Sequence, residues 1–335
     1  MKKVLVTGGA GFIGANFLQY ITKEYSDYVI INIDNLTYAS DFTNIQDLEK
    51  LGNYQFLKVD ICDEKSVSKI IKTNEIDTII HFAAESHVDN SIENPYIFAE
   101  TNIMGTLNLL QAAYKEWFSK PFEIKEKYRN SRFIHVSTDE VYGTLEDKGY
   151  FTEESNYMPN SPYSASKAAS DLLVRSYFHT YGMNVITTNC SNNFGPFQNK
   201  EKLIPKIIFN ALNDLVIPIY GDGSNVRDWL HVSDHCAAIS AILQNGEVGE
   251  TYLIGDNNEK TNLQIVHAIC DVLDRKVPKE VSYRNQIQFV ADRAGHDYRY
   301  AIDSSKVQRE VGWKPRMTFE KALEHTIDWY LQKIL

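Results

Sequence analysis

This 335-residue sequence predicts an α/β fold: a doubly wound parallel sheet with helices on both faces, followed by a smaller second lobe toward the C-terminus. Three observations carry that prediction. Short β-branched runs alternate with amphipathic stretches through the first half, the pattern of consecutive βαβ units. The first run ends in a glycine-spaced turn that opens directly into a helical pattern. Near "CSNNFGP" (190–196) the alternation weakens, and Gly, Pro and Asn gather through Asn225, as where a chain leaves its sheet.

In chain order, "KVLVT" (3–7) reads as the first strand and a helix begins at about Phe12. "YVIINID" (28–34), "YQFLKVD" (54–60), "IDTIIHFAA" (76–84), "SRFIHVS" (131–137) and "MNVITTN" (183–189) read as the strands that follow. The basic stretch Lys120 to Arg132 reads as a solvated loop. "IPIYGDGSN" (217–225) belongs to the second lobe, whereas "RDWLHVSDHCAAISAIL" (227–243) reads as a return to the first. The expected division is 1–190, with a return segment at about 228–255, against 191–227 and 256–335.

At 43% hydrophobic the chain can bury a sizeable core. A net charge of −10 argues against a general nucleic-acid or anionic-membrane surface, so bound phosphate must be met by a few local cations and backbone N–H groups. Cysteines 62, 190, 236 and 270 lie far apart with no Cys-x-x-Cys pair, which fits reduced thiols in a cytoplasmic protein. In "MKKVLVTGG" the apolar run lasts only Val4 to Val6, which is a strand and not a signal peptide. No stretch approaches the ~18–20 apolar residues of a membrane span.

"VLVTGGAGFIGANFL" sets Gly8, Gly11 and Gly14 in a G-x-x-G-x-x-G turn, with Phe12 and Ile13 inside it, between a strand and a helix. Glycines allow the tight turn and close backbone approach, and a helix N-terminus offers N–H groups to a pyrophosphate. Asp34 ends the second strand, where an acid accepts from an adenosine ribose and repels a 2′-phosphate; NAD is therefore expected over NADP. Asn35, Leu36 and Thr37 belong to the same expected wall, and Asp60 with Ile61 suits the adenine edge.

Tyr163 and Lys167 stand four apart in "SPYSASKAASDLLVRSYF", on one face of a helix start. A lysine ammonium and an oxidised nicotinamide lower a phenol's pKa from about 10 and make it a base for a hydroxyl proton. Such a pair is also common on helix surfaces. Together with the glycine turn and the strand ending in Ser137-Thr138, however, these residues resemble the extended short-chain dehydrogenase/reductase family over nearly the whole chain. The resemblance implies Tyr163 and Lys167 as the catalytic pair and Thr138 as the hydroxyl bonding the substrate's reacting oxygen.

Asp139 and Glu140 follow at once, and members that only epimerise a sugar at C4 have no use for them. A C4 ketone, though, acidifies the C5 proton, so Glu140 can remove that proton while a protonated Asp139 supplies one to the departing C6 hydroxyl. The segments "FAAESHVDNSI", "CSNNFGPFQNKEKLIP", "IPIYGDGSNVRDWLHVSDH", "GDNNEKTN" and "DRAGHDYRYAID" resemble the nucleotide-sugar dehydratases of that family in the same order. Ala294 stands where that family usually has proline.

The resemblance implies dTDP-glucose as substrate, a product leading to deoxysugars such as rhamnose, and Ser86, Asn192, Lys202, Leu203, Asn262 and His296 along the substrate path. It also implies Pro218, Ile219 and Tyr220 near the thymine, and Ala83, Ala84, Thr101 and Asn193 in the NAD wall. A homodimer through Pro95–Trp117 and Pro162–Tyr181 is implied as well. Arg227 and Arg293 are the cations expected to grip the diphosphate, since a guanidinium holds phosphate oxygens in pairs. His231 and His235 read as part of a helix start capped by Ser233 or Asp234, with no metal expected. Two rivals remain at this point. One is another member of the family, such as a UDP-sugar decarboxylase or GDP-mannose dehydratase, which tends to keep the glutamate without this aspartate. The other is a non-catalytic dinucleotide sensor, which has no chemical need for Thr138, Tyr163 and Lys167 together.

Overall fold

The computed structural model describes residues 2–292 and 296–334. Its large sheet comprises β1 (Lys3–Thr7), β2 (Val29–Asp34), β3 (Tyr54–Lys58), β4 (Thr78–His81), β7 (Arg132–Thr138), β8 (Val185–Cys190) and β12 (Thr251–Ile254). The strand order is β12-β8-β7-β4-β1-β2-β3, and every pairing is parallel. From β1 the chain runs outward through β2 and β3, then crosses to β4 on the other side. That reversal opens a crevice at the carboxyl ends of β1 and β4, where ligands of such sheets bind.

The strands are apolar on both faces because both are covered. Val4 and Val6 of β1 join the core beneath α1 (Phe12–Glu24) and α8 (Val232–Asn245). Leu5, between them, joins the opposite core with α2 (Glu64–Thr73), α5 (Thr106–Trp117) and α6 (Pro162–Tyr181). Two short helices, α3 (Val88–Glu93) and α4 (Pro95–Phe98), precede a π-helical stretch at Ala99–Gly105 that runs on into α5. The basic stretch after α5 holds a small hairpin, β5 (Phe118–Lys120) and β6 (Glu123–Ile124), with exposed Lys120–Glu123 and Arg129–Glu126 pairs.

Beyond β8 lies a second core. It is built on β9 (Asn192–Phe194), β11 (Val226–His231) and β13 (Glu259–Thr261), the pair β10 (Ile217–Tyr220) and β14 (Ile287–Val290), and helices α7 (Leu203–Leu212), α9 (Asn262–Lys276) and α11 (Phe319–Ile334). Only Ser191 separates β8 from β9, so one extended run leaves the large sheet and enters the small one.

Three details differ from expectation. The four residues of β12 add a seventh strand to the large sheet. Val307 and Val311 of helix α10 (Ser305–Val311), with Trp313 just after it, are buried in the core of the large sheet, so this stretch of the expected 256–335 lobe packs with the first lobe. At the start of α8 the cap is His231, accepting from the Ser233 N–H, because Asp234 instead receives the backbone N–H groups of Arg316 and Met317. Among the described residues, no helix is long and apolar enough to cross a membrane.

Candidate active site

A cavity of about 410 Å³ opens at the carboxyl ends of the strands flanking the switch point, within the range of small-molecule sites. Its floor is the glycine turn. Gly8 has φ +72°, and a Cβ there would lie 2.6 Å from the Ala83 nitrogen; one on Gly14 would lie 2.2 Å from the Gly8 oxygen. Side chains are thus excluded where the strand, turn and helix meet. No side chain caps α1 at Gly11, which leaves its first-turn N–H groups to an anion.

Asp34 is buried and fixed by three donors, the Ala10 N–H at 2.9 Å, the Leu36 N–H at 2.8 Å and Ser40 Oγ at 2.9 Å, yet still lines the cavity. Asp60 accepts from the Cys62 N–H and from Asn35 Nδ2, both at 2.8 Å. Asn35, Thr37, Asp60, Ile61, Ala83, Ala84, Thr101 and Asn193 all line the cavity with Gly11, Phe12 and Ile13. Leu36 does not: in the left-handed region at φ +57°, it contributes its N–H to Asp34 and packs its side chain on the core. The glycine cradle, uncapped helix and oriented acid together fit a dinucleotide.

The π-helical stretch, wider than an α-turn, carries Thr101 to the wall. It also supplies Asn102, absent from the sequence reading, which clamps the Glu85 N–H at 2.8 Å, the Glu85 carbonyl at 3.0 Å and Ser166 Oγ at 2.8 Å. In this way the β4 loop is tied to the helix that carries Tyr163.

Thr138 ends β7 and accepts from the Glu140 N–H at 3.3 Å, capping the turn at Asp139–Tyr142. The two acids then diverge. Glu140 is half-buried and lines the cavity. Asp139 is 2% exposed and behind the wall; one carboxyl oxygen receives the Thr138 hydroxyl at 3.4 Å and the other has no hydrogen-bond partner. Burial first, then the charges of Glu140 and Asp228, lift Asp139 well above the usual carboxylate range and favour its protonated form.

Tyr163 and Lys167 rise from the first turns of α6, whose start is fixed by Pro162 and a reciprocal Ser161/Ser164 capping box. Both line the cavity and both are buried; Lys167 Nζ donates to the Val136 carbonyl at 3.0 Å. The expected lowering of the phenol pKa is not a property of the protein alone. Burial, then the charge of Glu140, hold Tyr163 above its ordinary value, and the Thr138 hydroxyl only partly offsets them.

Of the expected substrate residues, Ser86, Asn192 and Lys202 line the cavity. Lys202 Nζ reaches the Ser86 carbonyl at 3.0 Å, and the Asn192 side-chain oxygen is buried without a partner. Arg227 is not in the wall. Its guanidinium donates to the carbonyls of Val226 (2.8 Å), Asp297 (2.9 Å) and Tyr298 (3.2 Å) and lies 4.3 Å over the Tyr300 ring. Arg293 and Ala294 lie outside the described residues. Ile219 points into the core of the second lobe, whereas Pro218 and Tyr220 occupy the other face of β10. Leu203 and Asn262 open α7 and α9, and His296 bonds Asp292 at 2.6 Å, edge-on to the Tyr220 ring. None of these lines the cavity. His235 bonds Asn193 at 3.0 Å and His231 bonds Ser233 at 2.7 Å.

The model of the family described as GDP-mannose 4,6 dehydratase matches residues 5–326. A dTDP-glucose 4,6-dehydratase of Salmonella typhimurium is 50% identical, over 98% of this chain and 92% of that protein. One from Xanthomonas campestris is 52% identical, over 99% and 93%. Among solved structures, the dTDP-glucose 4,6-dehydratase of Bacillus anthracis in complex with NAD has TM-score 0.87 and 43% identity, covering 100% of this chain and 98% of that one. The Streptomyces venezuelae enzyme with NAD and TDP bound has TM-score 0.89 and 42% identity, covering 98% and 97%.

Proposed function

The chain belongs to the GDP-mannose 4,6 dehydratase family, and within it to the dTDP-glucose 4,6-dehydratases, and on that premise we propose that it converts dTDP-glucose with NAD into the 4-keto-6-deoxy sugar nucleotide. The observation that carries this reading is the unequal treatment of two adjacent acids: Glu140 faces the cavity, while Asp139 sits behind it, buried and held in its acid form.

When bound, NAD would supply the hydride acceptor for C4 of the hexose and the hydride source for C6. The chain's own groups move the protons. Tyr163 takes the C4 hydroxyl proton while Thr138 bonds that oxygen, and the ammonium of Lys167, four residues on, favours the phenolate. Once C4 is a carbonyl, Glu140 removes the acidified C5 proton and Asp139 protonates the C6 hydroxyl, which leaves as water; when C6 is then reduced, Glu140 gives its proton back to C5. Gly8, Gly11 and Gly14 would cradle the pyrophosphate, and Asp34 would hold the adenosine ribose. Ser86, Asn192 and Lys202 would hold the sugar diphosphate, while Arg227, bonded to the Asp297 carbonyl, stands outside the cavity wall. The cofactor half is 1–190 with about 228–255 and α10, and the substrate half 191–227 with the rest of 256–335; β11 lies at the seam, with Leu230 in the first core and Trp229 in the second.

Incubation with dTDP-glucose and NAD is expected to yield the 4-keto-6-deoxy product, read by mass spectrometry as loss of one water. The C4 epimer alone, or unchanged substrate, would reject the reading, and UDP-, CDP- and GDP-linked sugars run in parallel test the base preference.

The same proposal includes a homodimer in the cytoplasm. Tyr96 is 85% exposed and Leu172 57% exposed, with Ile97 and Met104 also bare, an apolar patch along the two helical stretches expected to pair. Sedimentation is expected to give a dimer, and Leu172→Lys a monomer; a wild-type monomer would reject the pairing.

A further inference from the structure

Behind the catalytic pair lies a buried polar cluster that the steps above leave unused. Asp171 stands one turn after Lys167 on α6 and is 3% exposed. Its oxygens meet four groups: His135 Nε2, Ser137 Oγ and Tyr157 Oη, each at 3.0 Å, and Asn189 Nδ2 at 3.1 Å. With Nε2 of His135 as the protonated nitrogen, all four are donors. Oδ2 accepts three of them and Oδ1 the fourth, a set of partners that suits an acceptor-only carboxylate.

The i,i+4 spacing sets Asp171 on the helix face of Lys167, whose ammonium is 4% exposed and has the Val136 carbonyl at 3.0 Å as its hydrogen-bond partner. A buried ammonium is costly unless an opposite charge lies near. We infer that Asp171 is a positioning residue for the reaction: its charge keeps Lys167 an ammonium beside Tyr163, and its hydrogen bonds fix the strand end that carries Thr138. The second half follows from connectivity. Ser137 immediately precedes Thr138, and Asn189 donates both to Asp171 and to the Thr138 carbonyl, the latter at 3.0 Å.

The other groups around Lys167 cannot take the charge's place. His81 on β4 and His135 on β7 are kept neutral: burial lowers both first, followed for His81 by His135 and then Lys167, and for His135 by Lys167. Burial lifts the Cys190 thiol on β8, so it keeps its proton. Tyr163 on α6 and Tyr157 from the loop before it are phenols held above their ordinary values by burial first. Asp139 is held in its acid form, and Glu140 acts on Tyr163 and not on Lys167. On Lys167 itself, burial lowers the pKa, and Asp171, ahead of Cys190, opposes it.

The inference rests on the roles proposed for Tyr163 and Lys167, and its test separates the two. In the full-length enzyme with NAD and dTDP-glucose, loss of the Lys167 proton sets the alkaline limb of kcat/KM against pH. Asp171→Asn is expected to move that limb down by about one pH unit or more, and Asp171→Glu, which keeps the charge, to return it close to wild type. An unmoved limb in a folded, active Asn variant overturns the inference, as does an equal shift in the Glu variant. If the Asn variant does not fold, Tyr157→Phe decides, since it removes one donor and leaves the charge. An unmoved limb there supports the inference, and a limb lowered by a unit overturns it, because hydrogen-bond geometry would then set the lysine. A wild-type protein that does not turn over dTDP-glucose removes the functional reading first, and the inference with it.

Discussion

Asp139→Asn is expected to slow formation of the 4-keto-6-deoxy product by roughly 10²–10⁴-fold while C4 oxidation continues, so that reduced nicotinamide accumulates on the enzyme. Asparagine keeps the shape of the side chain and can still accept from Thr138, but it has no acid proton to give the C6 hydroxyl. Glu140 is untouched, so the C5 hydrogen of bound sugar should still exchange with heavy water, whereas in Glu140→Gln that exchange should stop. Equal loss of oxidation and elimination in Asp139→Asn would remove the separate acid role. Stability should move the other way. The Asp139 pKa is raised in the folded protein, mainly by burial, so the folded state binds more protons than the unfolded one between the unfolded value of about 3.9 and the folded value. Its contribution is fully present below the lower value and is lost as pH rises through the higher. The Asn variant does not titrate, so it should melt higher than wild type near neutral pH, with the difference vanishing at strongly acid pH.

Features written in adjacent or regularly spaced residues were legible without coordinates. The glycine turn, Asp34 at the end of β2, the Tyr163/Lys167 spacing and the Thr138-Asp139-Glu140 triplet each depend on one element and its flanks, and the structure brings these groups to one cavity, with Asp139 just behind its wall. The central sheet was legible for a related reason: strands covered on both faces stand out as apolar runs. What escaped depends on contacts distant in sequence. Asn102 meets residues 17 and 64 positions away, and Asp171 meets residues 34 and 36 positions away, yet both are ordinary polar residues within helical patterns. The π-helical stretch keeps its polar and apolar residues in a helical rhythm, so periodicity alone does not reveal it. Ile219 is a different case. In "IPIY" the two isoleucines alternate with Pro218 and Tyr220, and the period of two already placed Ile219 on the buried face with Ile217.

Tyr163→Phe should stop the reaction before it starts, lowering turnover by roughly 10³-fold with no reduced nicotinamide and no exchange at C5. The ring packs edge-on to Phe98 at 6.3 Å, and phenylalanine preserves that contact, so the melting temperature should stay near wild type and the loss can be assigned to one oxygen atom. That oxygen is poorly suited to be a base in the protein alone, because burial and the Glu140 charge both favour the neutral phenol. Cations must therefore supply the bias: Lys167 on the same helix face and, when bound, the oxidised nicotinamide. Wild-type kcat/KM should fall toward acid pH as the phenolate is lost, and the residual activity of the Phe variant should lack that limb. Accumulation of reduced nicotinamide at the wild-type rate in the variant would exclude Tyr163 as the base. Glu140 would then be the acid of this cavity close enough to the phenol to replace it, and one carboxylate would have to serve both C4 and C5.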